Sequence, residues 1–434
     1  MSDRIMHSDS LMDPIYTQSN PSEPIRLGQH AIQLTCNGST YEDVASVLLR
    51  FLPRERIEIL CPWEGKPPML RLSNNGYSIR LILRDKGVSF DVFCVSFGTQ
   101  SGTVFLPKRS GVIVTPNSSS IAAVTFHLFN FPDFLDGRVV LRASGWIVTI
   151  AATDRTKELT AGLKAQGGYV ITHTGQITRD DEATFSSEQV SEFLNCLHYF
   201  LSFALGRWAG VALPVGFDAD GKWVFEEWGL RITADGPWRG GVSWFDEHHS
   251  ELLPQVFPGF IRLWMNKLWQ KALSDALYWY LGACDHRVGI GVDAGLILAQ
   301  TALELLAWTY CVRDRKMISE VAFQRRLSAA DKFRLLVSSL SIPLEIPTNL
   351  SALHERAGKK WVDAMDAITA IRNSLIHPSA HEQLLGFAYF DAWKLSLWYI
   401  ELVLLRLCGH SGKYANRLHQ RWTGQIESVP WAQN

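Results

Sequence analysis

The spacing of apolar residues changes at about residue 254, and this change limits the folds open to the chain. Before it, short segments rich in β-branched and aromatic residues alternate with Gly, Asn, Pro and Asp turns, as strands do. After Pro254 and Pro258, aliphatic and aromatic residues recur at helical intervals. We therefore expect an α+β protein, with a β-rich domain over residues 25–250 and an all-α domain of four or five helices over residues 255–434.

The β-rich region carries local signals for strands, a hairpin and one helix. The strand candidates are YSIRLILR, VSFDVFCVSF, GVIVTP, AAVTFHLFNF and WIVTIAA. The pair Asp220-Gly221 predicts a hairpin turn between two aromatic-rich arms. A helix is expected over 186–205, with Ser186 and Gln189 as a capping box and Gly206 at its end.

Four further helices are predicted in the second half, in addition to a helical stretch over 260–284. They cover residues 291–311, 329–340, 360–376 and 381–408. Within the last, residues 390–408 are apolar enough to suggest a membrane span, but charged side chains interrupt them at helical intervals. We expect a buried core helix there and no membrane association.

Charge and cysteine usage narrow the functional classes. The chain has 42 basic and 43 acidic side chains, a net charge of −1, so any contact with nucleic acid has to be local. Its seven cysteines are scattered without a CxxC pair, which argues against disulfides and structural zinc and fits the reducing cytoplasm. Residues 1–24 lack the apolar stretch of a signal peptide and are expected to form a disordered lead-in. No metal or other cofactor is expected.

The segment RNSLIHP, residues 372–378, is the strongest candidate for chemistry. On an ideal helix, Arg372 falls within the apolar stripe formed by Trp361, Met365, Ile368 and Leu375. An arginine on a packed face is costly unless a carboxylate or phosphate satisfies it.

The histidine of this segment precedes a proline. Because Pro378 disfavours the helical conformation of the residue before it, the helix should end near Ile376, and His377 is then free to turn back toward Arg372.

A second helix offers a partner for the arginine. In residues 291–311, which are apolar around nearly the whole circumference, Asp293, Gln300 and Glu304 line up at helical spacing. We expect Arg372 to pair with Glu304 or Asp293 across the helix contact.

An arginine, an asparagine and a histidine together are sufficient for metal-free cleavage of RNA. The histidine, His377, moves a proton, Arg372 offsets charge on the phosphate, and Asn373 orients by hydrogen bonding. The alternative is ordinary chemistry of a helix C-terminus, where cations and a following proline are common.

The chain resembles the HEPN superfamily in these residues. Arg372-Asn373, three residues and then His377, late in an all-α domain, match the R-polar-x-x-x-H motif of that superfamily. The segments ILAQTALELLAWTY and DKFRLLVSSLSIPLEIP look like the HEPN domains of bacterial ApeA-type proteins. GGYVITHTGQI, RWAGVALPVGFDADGKWVFEEW and WFDEHH are similar to the domain found beside them.

The resemblance implies a dimeric endoribonuclease with Arg372 and His377 as the catalytic pair and Asn373 in support. It further implies anti-phage defence by abortive infection, with the N-terminal domain sensing an unknown trigger. Because many HEPN domains are inert, the alternative is a non-catalytic dimerisation or interaction protein.

Other polar clusters suggest structural roles. Asp218 and Asp220 fit a hairpin turn better than a calcium loop, because the further acidic ligands are missing. Asp246, His248 and His249 lie within four positions of one another, and no further metal ligand stands nearby at a suitable spacing. They suit an interdomain loop.

Two further questions concern His173 and the tryptophans. The pattern leaves open whether His173 faces a cleft or the core. The tryptophans of the helices (264, 269, 279, 308, 361, 393 and 398) are expected in the core or a dimer interface. Those at 223, 228, 238 and 244 are expected at a packed domain interface, the other possibility being a groove for a carbohydrate or nucleotide.

Overall fold

The protein is β-rich up to residue 230 and mainly helical after it, which confirms the predicted α+β class. The structure is a computed structural model. It describes residues 13–36, 38–62, 79–98, 102–109, 111–115, 120–133, 137–234, 242–285, 291–377, 386–419, 422 and 424–433.

The first six strands close into an antiparallel barrel in the order β1-β2-β3-β6-β5-β4. They are β1 (Ile25–Cys36), β2 (Ser39–Arg50), β3 (Arg56–Cys61), β4 (Ile79–Leu83), β5 (Val88–Gly98) and β6 (Gly102–Pro107). Alternate residues point inward, so Val47, Ile59 and Leu81 are fully buried in a core that belongs mainly to the barrel.

The next seven strands form a sheet in the order β7-β13-β12-β8-β11-β10-β9. They are β7 (Val112–Ile113), β8 (Ala123–Phe129), β9 (Arg138–Ala143), β10 (Trp146–Ala152), β11 (Ile171–Arg179), β12 (Gly210–Phe217) and β13 (Trp223–Trp228). Helices α1 (Thr156–Gln166) and α2 (Ser187–Leu205) lie between strands. The sequence patterns did not indicate α1. All seven residues of β8 are buried because Phe129 packs with the barrel core while Phe126 and Leu128 face the helices.

The local signals of this region are confirmed. The Ser186 side chain and Gln189 form the capping box of α2, and Gly206 ends the helix in the left-handed conformation with φ 63°. Asp218 Oδ1 accepts hydrogen bonds from the backbone N–H groups of Asp220 and Lys222, which closes the turn between β12 and β13.

The chain from residue 13 to 24 is docked on the sheet, so the expected disordered lead-in is wrong for this segment. The Ile15 and Tyr16 N–H groups donate to His127 Nε2 at 3.1 and 3.2 Å. Gln18 is buried and accepts the backbone N–H of Ile171. Residues 1–12 lie outside the described part of the chain.

Helices make up most of the second half. They are α3 (Leu252–Met265), α4 (Gln270–Cys284), α5 (Gly291–Trp308), α6 (Glu320–Arg326), α7 (Ala329–Ser339), α8 (Ser351–His354), α9 (Ala364–Ile376) and α10 (Gly386–Leu407). A π-helical turn, Thr309–Asp314, extends α5. The C-terminal segment adds strands β14 (Lys413–Tyr414) and β15 (Glu427–Ser428), which makes this region less purely helical than predicted.

The helices and the seven-stranded sheet share one hydrophobic core. The Phe200 ring of α2 lies 5.0 Å from Phe257 and 5.3 Å from Phe260 of α3, centroid to centroid. The sequence boundary at 250–255 therefore marks a change of secondary structure but does not separate two cores. The clearer division lies between the barrel and everything that follows it.

Within the described ranges, one helix is long and apolar enough to cross a membrane, the α5 stretch Gly291–Asp314. Of its most apolar window, 61% is buried inside the protein, as in the core helix of a soluble protein. The sequence had instead suggested 390–408, which lies in α10 and packs in the core as predicted.

Candidate site at the end of helix α9

Helix α9 carries the RNSLIHP motif and is fixed at both ends. At its start, the Asp363 side chain accepts the N–H of Asp366 and binds the Arg334 guanidinium, with Nε 2.6 Å from Oδ2. Burial alone would raise the pKa of Asp363, but the hydrogen bonds and the charge of Arg334, together with hydrogen bonds from backbone N–H groups at the start of the helix, lower that pKa. This cap starts the helix at Ala364 rather than at the predicted residue 360.

The helix ends where the sequence predicted. Ile376 is the last helical residue, and His377 has the extended angles φ −116° and ψ 103°, as its position before Pro378 requires. Its N–H donates to the Asn373 carbonyl at 3.0 Å, and its side chain is exposed. Within the described residues, no hydrogen bond joins the His377 ring to Arg372.

Arg372 is only partly satisfied. Its Nη1 donates to Asn373 Oδ1 at 3.3 Å, while its Nε is buried without a hydrogen-bond acceptor among the described residues. A buried donor without an acceptor costs about 1–3 kcal/mol, and for a charged group the cost is larger. The guanidinium is thus held by Asn373 and retains capacity to bind an anion.

The predicted burial of Arg372 needs a correction. Met365, Ile368 and Ile371 form the fully buried stripe of α9, whereas Arg372 and Leu375 lie half-buried at its edge. The sequence stripe had left out Ile371, and the structure rotates the packed face toward it.

The predicted pairing of Arg372 with α5 is wrong. Glu304 is exposed and binds Lys332 Nζ of α7 at 2.5 Å, and Asp293 is exposed at the start of α5. Gln300 is buried and donates from Nε2 to the Ile368 carbonyl at 2.6 Å. Among the hydrogen bonds of the described residues, Gln300 is the stripe residue that binds the motif helix, at a backbone carbonyl one turn before Arg372.

Sequence reasoning missed a contact between the motif residue Ser374 and a neighbour on α10. Ser374 donates from Oγ to the Ile371 carbonyl at 2.6 Å, and its Oγ lies 3.5 Å from the Tyr389 hydroxyl of α10. Nothing in the sequence pattern indicated that α10 would bring this hydroxyl to the motif.

Apolar side chains are exposed within the motif and at the start of the helix that follows it. Ile376 at the end of α9 is 36% exposed, and Phe387 and Phe390 at the start of α10 are 78% and 44% exposed. Large exposed apolar side chains close together are typical of interaction surfaces.

The cluster at 246–251 is a structural tie. His248 Nδ1 lies 3.0 Å from Asp246 Oδ1, and His249 contacts Glu251 through Nδ1 and the Gly424 carbonyl through Nε2, both at 2.8 Å. The contact between His249 and Gly424 attaches the loop to the C-terminal segment, which agrees with the predicted structural role. In the portions of the chain that are described, no group of three or more His, Cys, Asp or Glu side chains is arranged to hold a metal ion.

The core accounts for His173. Its side chain is fully buried against Phe131, and burial lowers its pKa to about 3, so it is neutral in the folded protein. A cleft position is thereby excluded.

The role of Glu226 was not predicted from the sequence. This buried carboxylate of β13 accepts hydrogen bonds from the Tyr16 hydroxyl and Trp228 Nε1, both at 2.6 Å, and lies 2.8 Å from Lys86 Nζ of the barrel. The sequence feature that could have indicated its burial is the position of Glu226 on the inward-facing side of a predicted strand.

The tryptophans mostly serve the core. Of those predicted on helices, 264, 269, 361, 393 and 398 are buried, and 279 and 308 are partly so. Trp228 and Trp244 are fully buried, Trp223 is 42% exposed, and Trp238 lies outside the described residues. Trp228 packs in the core cluster of the barrel beside His30, and so does not lie at the predicted interface, whereas Trp244 packs in the core that the sheet shares with the helices.

Comparisons with known proteins place the motif inside a domain match. Residues 266–428 match the model of the YopA C-terminal domain, and residues 116–239 match that of the YopA central domain. The chain is 26% identical over 442 residues to the SPbeta prophage-derived uncharacterized protein YopA of Bacillus subtilis (strain 168). That similarity covers 97% of this chain and 98% of that protein. No solved structure matches.

Proposed function

We propose that the helical region is a HEPN-like, metal-independent endoribonuclease that acts as a homodimer in the cytoplasm. In this proposal the β-rich region senses a trigger, and RNA cleavage arrests growth as an anti-phage defence. The observation that carries the proposal is the half-buried Arg372, whose Nη1 is held by Asn373 and whose Nε has no acceptor among the residues that the structure describes.

The proposed reaction uses the 2′-hydroxyl of RNA. His377 takes the proton of a ribose 2′-hydroxyl, and the 2′-oxygen attacks the adjacent phosphorus. The bond to the 5′-oxygen breaks and that oxygen takes up a proton, leaving a 2′,3′-cyclic phosphate and a 5′-hydroxyl end. Arg372 offsets the charge that grows on the phosphate, and Asn373 holds the guanidinium in place.

Two features support a dimer around this site. Ile376 in the motif and Phe387 and Phe390 on the following helix are exposed, so a second copy covering them would bring two motifs together. His377 is exposed, so it is accessible to a substrate or to a second motif.

The exposed Phe387 also favours a second candidate, an interaction protein that dimerises without cleaving RNA. The two candidates differ in whether the polar motif is needed for anything beyond folding.

The test measures cleavage of a mixture of RNAs, in a buffer that contains EDTA, by purified wild type, Arg372→Ala, Arg372→Lys and His377→Ala. We expect cleavage to be lost in both alanine variants and strongly reduced in Arg372→Lys, because lysine lacks the planar fork. The matched controls are Arg142→Ala and His419→Ala, which remove an exposed arginine and an exposed histidine elsewhere in the chain.

A substrate with a single 2′-deoxy nucleotide at the mapped cleavage position should resist cutting there. If the motif variants match wild type in RNA cleavage and in phage protection while remaining folded, the nuclease proposal fails. A wild type that forms a dimer sensitive to Phe387→Glu and leaves every RNA intact would establish the interaction protein instead.

A further inference from the structure

Basic residues are concentrated in one part of the helical region. Between residues 312 and 360 the sequence has ten Lys or Arg and five Asp or Glu, whereas the whole chain has a net charge of −1. A local excess of this kind creates a positive field on an otherwise neutral protein.

Part of this charge is neutralised within the protein, and part is not. Lys332 is paired with Glu304, and Arg334 with Asp363. By contrast, the turn after α5 and the end of α6 present five exposed basic side chains, which we call the basic strip: Arg313, Arg315, Lys316, Arg325 and Arg326. Only Arg315 of these forms an ion pair in the described structure, a long one of 3.7 Å to Asp314.

Aromatic rings lie beneath two of the strip's arginines. The Arg313 guanidinium carbon is 5.3 Å from the Trp308 ring centroid, and that of Arg315 is 5.5 Å from the Tyr310 ring centroid. Such cation–π contacts restrict the guanidinium planes without satisfying their hydrogen-bond donors. The donors therefore remain available to phosphate oxygens, which planar guanidinium groups bind in a bidentate manner.

The strip is connected to the motif by α5. Gln300 contacts the motif helix at Ile368, and Arg313 lies thirteen residues beyond Gln300 on the same helix and its π-helical extension. At 1.5 Å per residue this separation is roughly 20 Å. A nucleic-acid strand with a rise of 3.4 Å per nucleotide covers it in about six nucleotides.

We propose that the basic strip is the docking surface for the phosphate backbone of single-stranded RNA, whose remote end lies at the Arg372 motif. The inference rests on the proposed ribonuclease function and adds where the substrate binds. The strip contacts phosphates and not base edges, so we expect it to bind RNA without sequence preference. Because these contacts are electrostatic, binding should depend strongly on salt concentration.

The test measures binding without cleavage. A fluorescein-labelled 20-nucleotide single-stranded RNA is titrated with the full-length His377→Ala protein, and anisotropy is recorded from 50 to 300 mM salt. Into this protein are introduced either Arg325→Gln/Arg326→Gln or, as an independent pair, Arg313→Gln/Lys316→Gln. The matched control is Arg138→Gln/Arg142→Gln, which removes two exposed arginines from β9.

Each strip pair should lower the salt slope of log K by about 1.4, because each phosphate contact on a single strand contributes about 0.7. That change corresponds to roughly 25-fold weaker binding at 0.1 M salt, while the control stays within about twofold. Thermal melting verifies that every variant is folded.

The strip proposal is overturned if both strip pairs bind RNA as tightly as the control, or if the His377→Ala protein binds no RNA at 50 mM salt. RNA binding that requires the strip, together with no cleavage by wild type, would uphold the docking surface and refute the ribonuclease. The two proposals can therefore fail separately.

Discussion

The buried ion pair between Glu401 of α10 and Arg417 of the C-terminal segment should be decisive for the stability of the helical region. Glu401 is 0% and Arg417 5% exposed, and Oε1 of the former lies 2.5 Å from Nη2 of the latter. The Tyr280 hydroxyl of α4 donates to the same carboxylate oxygen at 2.5 Å, and burial raises the pKa of Tyr280 well above its ordinary value.

The perturbation is Glu401→Ala. It leaves the Arg417 charge buried without its carboxylate, and Arg417 Nε already has no acceptor among the described residues. Removing one partner of a buried pair costs about 3–5 kcal/mol, because the other charge stays uncompensated. The triple variant Tyr280→Phe/Glu401→Leu/Arg417→Met removes the hydroxyl, the carboxylate and the guanidinium together. It should lie within about 2 kcal/mol of wild type or above it, since apolar replacement avoids the desolvation cost.

The assay is urea denaturation followed by circular dichroism at 222 nm. Glu42→Ala is the control, because Glu42 and Arg84 form a pair at 2.5 Å with both side chains more than half exposed, and such a pair contributes at most about 1 kcal/mol. A loss for Glu401→Ala no larger than for the control would refute the reasoning. So would a triple variant as unstable as the single one.

Two further predictions concern the sheet and the helix packing. Burial lowers the pKa of His127 to about 4 from the ordinary 6.5, so the unfolded chain takes up the proton first as pH falls. The free energy of unfolding therefore contains a contribution from neutral His127 that is complete above pH 6.5. This contribution falls by about 3 kcal/mol as the pH is lowered toward 4. His127→Gln should reduce the slope of unfolding free energy against pH in that window, and an unchanged slope would contradict the assignment. Gly259→Ala should destabilise by about 1–3 kcal/mol or more in urea titrations, because a Cβ there would lie 1.8 Å from the Cys408 carbonyl oxygen. Gly282→Ala, whose Cβ would meet only the Leu298 side chain at 3.3 Å, should stay within about 1 kcal/mol of wild type.

Features set by neighbouring residues could be predicted from the sequence. The cap of α2 at Ser186, its end at Gly206 and the turn at Asp220-Gly221 each depend on residues within a few positions. The end of α9 before His377 follows from the adjacent proline in the same way.

Features set by distant partners could not. Helical spacing placed Glu304 on a polar face of α5 but gave no information about which helix would lie opposite, and α7 supplies Lys332. The docking of Tyr16 depends on His127 and Glu226, more than a hundred residues away. Closure of the barrel likewise depends on β3 pairing with β6, which no local pattern specifies.

For the candidate site, the sequence predicted the end of α9 before His377 but misjudged the surroundings of Arg372. The stripe argument treated the helix as packed on one fixed face, and Ile371 shifts that face by one position. Tyr389 comes from another helix and requires the three-dimensional packing.

The core shared by the sheet and the helices restricts how one region can control the other. Separating α2 from α3 would uncover Phe257 and Phe260, so a hinge between rigid bodies is not available at this junction. If the barrel senses a trigger, as proposed, the signal would have to reach α9 as small displacements of packed side chains. For the same reason, deleting residues up to 250 would remove about a third of the shared core, and a loss of the proposed activity in such a variant would report misfolding instead of regulation.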